Sequence, residues 1–100
     1  MSEPTLTQQP DGSYLLSGIL SFDTVPRLLA QGNALFAHGE VIVDLKAVER
    51  SDSAGLALLI EWLRIARLKR QAMKLRNVPP QMQAIARVSD LDTLLPISGE

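Results

Sequence analysis

The segment Val41-Ile42-Val43-Asp44-Leu45 puts four apolar residues, three of them β-branched, into five consecutive positions. A near-continuous run of this kind, with little alternation, marks a strand covered on both sides, as in a sheet that carries helices. It predicts a central strand, so the remaining segments must supply neighbouring strands and the helices that pack on them. Upstream, Thr5 to Gln9 and Ser13 to Ser17 are two short extended runs around Asp11-Gly12, the signature of a hairpin. Asp23 or Thr24 then caps a helix with Pro26 in its first turn, where a missing N–H costs nothing. Its apolar positions Val25, Leu28, Leu29, Leu35 and Phe36 keep helical spacing, and the segment closes near Gly39.

Downstream, Ala47 to Asp52 reads as a polar connection, and a longer, more apolar helix runs from Ser53 to about Arg70. Met73 to Asn77 is a short strand, Gln81 to Val88 a third helix, and Asp90 to Pro96 a last turn before the tail. This order predicts an α/β fold: a small sandwich with a mixed sheet of about four strands and helices packed mainly on one face. A chain of 100 residues has room for a single domain, residues 1–100. Ten Lys and Arg against eleven Asp and Glu give a formal charge of −1, which excludes a strongly basic nucleic-acid binder. The chain has no cysteine, which removes disulfides, thiolate nucleophiles and sulfur-ligated metals. Met1 to Pro10 lacks a basic start followed by an apolar run, so a cytoplasmic location is expected.

Catalysis lacks its tools. His38 is the sole histidine and, beside Gly39 at a helix end, is expected to cap carbonyls. Asp44, Asp52, Asp90 and Asp92 do not form the acidic pair of a receiver domain, and no phosphate loop or dinucleotide fingerprint is present. We therefore expect no catalytic residue, no metal and no cofactor.

The informative segment is Ser51-Asp52-Ser53-Ala54-Gly55-Leu56, between the central strand and the longest helix. Open α/β folds bind at the carboxyl ends of their strands, and a helix N-terminus favours a hydroxyl, a carboxylate or an added phosphate. Capping alone accounts for Asp52 and Ser53. It does not account for Gly55 in the first turn, where glycine costs about 1 kcal/mol relative to alanine. One expectation is that Gly55 leaves the turn bare for a partner's approach to Ser53. On a helical wheel, Leu56, Leu59, Ile60, Leu63 and Ala66 face the sheet. Leu58, Trp62 and Ile65 form a flank, and Ser53, Ala57, Glu61, Arg64 and Leu68 a narrow remaining stripe. The flank is either covered by a neighbouring helix or offered to a partner; exposure is expected around Ala54, Ala57, Leu58, Glu61 and Ile65. Trp62 reads as a core anchor, with an interface hot spot as the alternative. Arg64, Arg67, Lys69, Arg70, Lys74 and Arg76 cluster at the helix end and the next strand, as a solvated basic end or a face toward anionic headgroups or an acidic loop.

The strand Val41-Ile42-Val43-Asp44-Leu45, followed after a short linker by Asp52-Ser53-Ala54-Gly55-Leu56, resembles the STAS domain family, which includes anti-anti-sigma factors. The resemblance runs from the opening hairpin to Leu95 and implies a STAS-like sandwich. Gly55-Leu56-Ala57-Leu58-Leu59, with Ala84-Ile85-Ala86 and Leu91 to Pro96, is most similar to the MlaB-like branch, cytoplasmic subunits of phospholipid ABC transporters. That likeness implies a non-catalytic subunit that binds the transporter ATPase (MlaF-like) and meets the inner membrane only through it. Ser53 takes the place of the family's functional hydroxyl, with Asp52, Ala54, Gly55, Ala57, Leu58, Glu61 and Ile65 as the partner-binding set. The alternative implied by the family is an anti-anti-sigma factor whose Ser53 accepts phosphate from an anti-sigma kinase. A small-ligand module with a pocket beside Ser53 is the third reading.

Overall fold

A computed structural model of the protein describes residues 3–36 and 39–96. The elements follow as β1 (Thr5–Gln8), β2 (Tyr14–Leu20), α1 (Val25–Leu35), β3 (Val41–Ser51), α2 (Ser53–Leu68), β4 (Met73–Arg76), α3 (Pro80–Val88) and a terminal 3-10 turn (Asp92–Leu94). The expected capping role of His38 falls outside the described residues, as does the chain after Pro96.

The strands form one mixed sheet in the order β1-β2-β3-β4, antiparallel between β1 and β2 and parallel thereafter. Asp11-Gly12 makes the predicted turn. The Gln9 N–H donates to the Ser13 carbonyl at 2.7 Å, and Gly12, at φ +89°, donates to the Gln9 carbonyl at 2.9 Å. Because β2, β3 and β4 succeed one another in a single direction across the sheet, right-handed crossovers put α1 and α2 on the same face. The two helices touch where Trp62 of α2 lies against Gly32 of α1, at a point where a Cβ on residue 32 would collide with the indole. Phe36 stands edge-on to Trp62 at 5.2 Å and Tyr14 edge-on to Phe36 at 4.9 Å, a favoured aromatic geometry. Trp62 is thus the core anchor the sequence predicts.

The structure corrects several expectations. Thr24 stands at the N-cap of α1, yet its hydroxyl caps nothing. It accepts from the Ser21 N–H at 2.9 Å and lies within donating reach of the Ile19 and Ser21 carbonyls, bracing the turn before the helix. α1 ends at Leu35, short of Gly39. The supposed polar connection after Leu45 is strand as far as Ser51. It pairs in parallel with β2 through two irregularities, each of which gives β3 one more residue than its partner.

β3 is also covered by helices on one face only. Val41, Val43 and Leu45 enter the core, while Ile42 is half-buried and Lys46 is exposed on the other face. Asp44 belongs to that second face and is nonetheless buried, because a polar network covers it. Its carboxylate accepts from Asn77 Nδ2 at 3.0 Å, the Lys46 N–H at 2.9 Å and Arg76 Nε at 3.3 Å. Arg76 reaches on to Ser13 Oγ at 3.1 Å, and Ser13 donates to Asp11 at 2.6 Å, so the network ties β3 and β4 to the hairpin turn. Among the described residues, every buried side-chain nitrogen and oxygen finds a partner. No helix there is long and apolar enough to cross a membrane.

Burial pushes the Asp44 carboxyl up, but the hydrogen bonds from Asn77, Lys46 and Arg76 outweigh it and hold it below its ordinary 3.8. A group lowered on folding contributes stability that is present above its ordinary value and lost as pH falls through the folded one. Asp44→Asn is therefore expected to cost about 1–3 kcal/mol at neutral pH. The gap between the two proteins should narrow as pH drops below 3.8. Urea melts across pH 7 to 2.5 check this; a gap independent of pH contradicts it.

Candidate functional site

Helix α2 begins where the parallel strands end. Asp52, in extended conformation at φ −96°, is the N-cap, and its carboxylate accepts from the Ala54 N–H at 2.8 Å. Its own N–H donates to the Leu20 carbonyl at the end of β2, at 3.3 Å, and its carbonyl accepts from Gly55 at 3.1 Å and from Ser51 Oγ at 2.9 Å. One residue thus joins two strand ends to the helix. Ser53 follows at the first helical position, exposed, and no hydrogen bond ties its hydroxyl among the described residues.

Gly55 does not leave the turn bare for a partner. It is buried and faces its own chain, where a Cβ would collide with Ser51 Oγ and lie 3.1 Å from Leu20 Cβ. The glycine lets the first turn of α2 sit down on the ends of β2 and β3. Leu58 is the second correction: it is buried, only 1% exposed. On this flank Trp62 is covered by Gly32 of α1 and by Phe36 just past the end of that helix, and leaving Leu58 in water would forgo about 2 kcal/mol of burial.

The rest of the predicted set lies along the open side of α2. Asp52, Ser53 and Ala57 are exposed, and Ala54, Glu61 and Ile65 are half-buried. Ser53, Ala57, Glu61, Arg64 and Leu68 fall within about 80° of arc and run about 22 Å along the helix. Leu68 is 71% exposed. Arg64 donates from Nε and Nη2, one edge of its guanidinium, to the two carboxylate oxygens of Glu61 at 3.0 and 2.6 Å, and this hydrogen bonding holds the Glu61 carboxyl below its usual range. The stripe is therefore close to neutral.

The basic cluster is largely spent on the chain itself. Lys69 Nζ donates to the Phe36 carbonyl at 2.7 Å, Lys74 pairs with Glu40 at 3.6 Å, and Arg76 is held by Asp44 and Asp11. Among the described residues, no group of three or more His, Asp or Glu is placed to hold a metal. No described cavity includes Ser53; one of about 330 Å³ at the end of β2 is lined by Glu3, Pro4, Ile19, Ser21, Asp23, Thr24 and Arg27.

Phe22 was not singled out by sequence reasoning. It is 80% exposed in the turn between β2 and α1, two residues past the Leu20 carbonyl that accepts from Asp52. Its signal was a large aromatic outside every periodic run, set between Ser21 and Asp23.

A family model described as Mlab, STAS domain, matches residues 8–96. No curated protein sequence matches the chain. Among solved structures, the Bacillus cell fate determinant SpoIIAA in its phosphorylated form superposes with a TM-score of 0.69 at 19% identity, over 97% of this chain and 92% of that one. An anti-sigma factor antagonist from Mycobacterium paratuberculosis gives 0.67 at 22% identity, over 97% and 85%. A variant of RsbS from Moorella thermoacetica gives 0.69 at 18% identity, over 97% and 86%. At these identities the likeness is one of fold.

Replacing Gly55 by alanine gains about 1 kcal/mol of helix propensity and meets an overpacking cost of about 1–3 kcal/mol. We expect a net loss, seen as a melting temperature lower by several degrees. Removing the obstructing hydroxyl with Ser51→Ala should recover part of it, so the double variant loses less than the two single effects summed. Strict additivity in thermal melts contradicts the contact.

Proposed function

Because the chain belongs to the STAS domain family in its MlaB form, we propose that it is a non-catalytic adaptor that binds the MlaF-like ATPase of a phospholipid ABC transporter. It would support the assembly and activity of that ATPase from the cytoplasm of a Gram-negative bacterium, meeting the inner membrane through the complex. The observation that carries the reading is the α2 surface. An exposed Ser53 and Ala57 stand beside half-buried Ala54 and Glu61 on a helix whose other faces are already packed. Small residues at the start of a helix let a partner's backbone approach closely, and the neutral stripe imposes little desolvation cost. Asp52 serves the surface indirectly, by fixing the first turn.

A second reading has one observation in its favour. Ser53 offers a solvent-exposed hydroxyl at the first position of a helix, where an added phosphate is favoured by the unpaired N–H groups. This is the anti-anti-sigma alternative, with an anti-sigma kinase as partner.

Ser53→Arg is expected to abolish co-purification with the MlaF-like ATPase, since an interface closing over that site would have to bury an unpaired guanidinium. A cation at a helix N-terminus costs about 0.3–1 kcal/mol, so the variant keeps its circular dichroism and loses only a few degrees of melting temperature. Undiminished complex yield argues against the adaptor. For the alternative, intact mass after incubation with an anti-sigma kinase and ATP should show one added phosphate that Ser53→Ala prevents.

A further inference from the structure

We propose that Phe22 is the aromatic anchor of this docking surface, seated on binding in an apolar socket of the ATPase whose rim carries positive charge. The proposal rests on the adaptor reading above and adds to it a residue outside helix α2 and a chemistry for the partner's side.

Four observations carry it. Phe22 is 80% exposed while Tyr14, Phe36 and Trp62, the other aromatics, are joined edge to edge in and beside the core. An aromatic side chain left in water by a chain that buries its other rings is the kind of group that dominates interface energetics once a partner covers it. Its turn is also locked. The Thr24 and Val25 N–H groups both donate to the Ser21 carbonyl at 3.0 Å, and the Ser21 N–H donates to Thr24 Oγ1 at 2.9 Å. A ring presented on a fixed backbone loses little freedom on binding, which is how preorganisation raises affinity.

The third observation is continuity. The Leu20 carbonyl, two residues before Phe22, accepts from the N–H of Asp52, one residue before Ser53. Aromatic and hydroxyl therefore project from the same carboxyl end of the sheet. The fourth is charge. Asp23 and Asp52 flank the two residues, both exposed and neither in an ion pair among the described residues. Arg50 is the exposed cation at the end of β3, and Arg27 is neutralised by Glu3 at 3.2 Å. Asp23, Arg50 and Asp52 sum to one net negative charge at this end of the sheet, which a basic rim complements.

The test is the dissociation constant for the purified MlaF-like ATPase subunit from the same genome, measured for the wild-type protein and for Phe22→Ala, Phe22→Leu, Asp23→Lys and Ser53→Arg. Phe22→Ala should bind about thirtyfold more weakly, the loss typical of a truncated aromatic hot spot. Phe22→Leu should fall between, and Asp23→Lys should slow association and flatten its salt dependence. Melting temperatures of both Phe22 variants should match the wild type, since the ring contributes little to the core. If Phe22→Ala stays within about twofold while Ser53→Arg abolishes binding, the anchor is overturned and the adaptor survives. If neither change matters, the adaptor reading fails and the anchor with it. If light scattering shows a wild-type dimer that Phe22→Ala makes monomeric, with unchanged ATPase affinity, the ring serves self-association and the proposal is overturned.

Discussion

The descent of helix α2 onto the carboxyl ends of β2 and β3 is the contact on which the other packing depends. It is possible because residue 55 has no side chain: a methyl group there would strike Ser51 Oγ and press on Leu20. At this depth Leu56 and Leu59 reach the sheet and Trp62 reaches Gly32 of α1, a second place where a missing Cβ allows close approach. The two glycines set the height of α2 over the strands and its distance from its neighbour. The same geometry fixes where Ser53 stands, because Asp52 is bonded at once to β2 and to the helix. A surface built on the first turn of α2 therefore inherits the rigidity of the sheet.

What could be read in the residues differs by element, for physical reasons. α2 was legible in extent and in its open stripe, because a 16-residue amphipathic helix repeats its pattern over several turns. A wheel gives the angle of Leu58 but not whether another helix lies at that angle. On the same flank Trp62 meets Gly32 of α1, which has no side chain to announce a contact. Gly55 was noticed for the right reason, its cost in a helix, and assigned to the wrong neighbour: the side chains it makes room for, Ser51 and Leu20, belong to the protein's own strands. The last residues of β3 were hidden because their pairing with β2 is made by main-chain groups through two irregularities. Polar side chains such as Glu49 and Arg50 carry no trace of it. Phe22 stood outside every periodic pattern, and periodicity says nothing about a lone ring in a turn.

Asp44 shows how one charge alters the reading of a strand. The apolar run around it predicts cover on both faces, and the carboxylate itself reads as an exception to that run. In the folded chain it is the reason the second face needs no helix. Arg76, Asn77 and the Lys46 N–H satisfy it, and Ser13 and Asp11 extend the network to the hairpin. Ion pairs of this sort bring little net stability over an apolar substitute, and what they can supply is register. A slip of β4 by one residue would turn Arg76 toward the core and leave Asp44 without its partner.

The same economy bears on how a module of this size binds anything. The apolar arc of α2 is wide, but the sheet takes one side, α1 takes Trp62 on the flank, and Leu58 is buried as well. What remains open at the helix start is Ser53, Ala54 and Ala57, small side chains that permit close approach and offer little area to bury. Glu61 and Arg64 satisfy each other and have little to give a partner. A helix surface so constituted specifies position well and supplies modest energy, since affinity concentrates in large, desolvated side chains. A partner that holds this protein firmly must draw that energy from beyond the first turns of α2. At the carboxyl end of the sheet the large apolar group standing free in water is the ring of Phe22, carried on a turn that is already set.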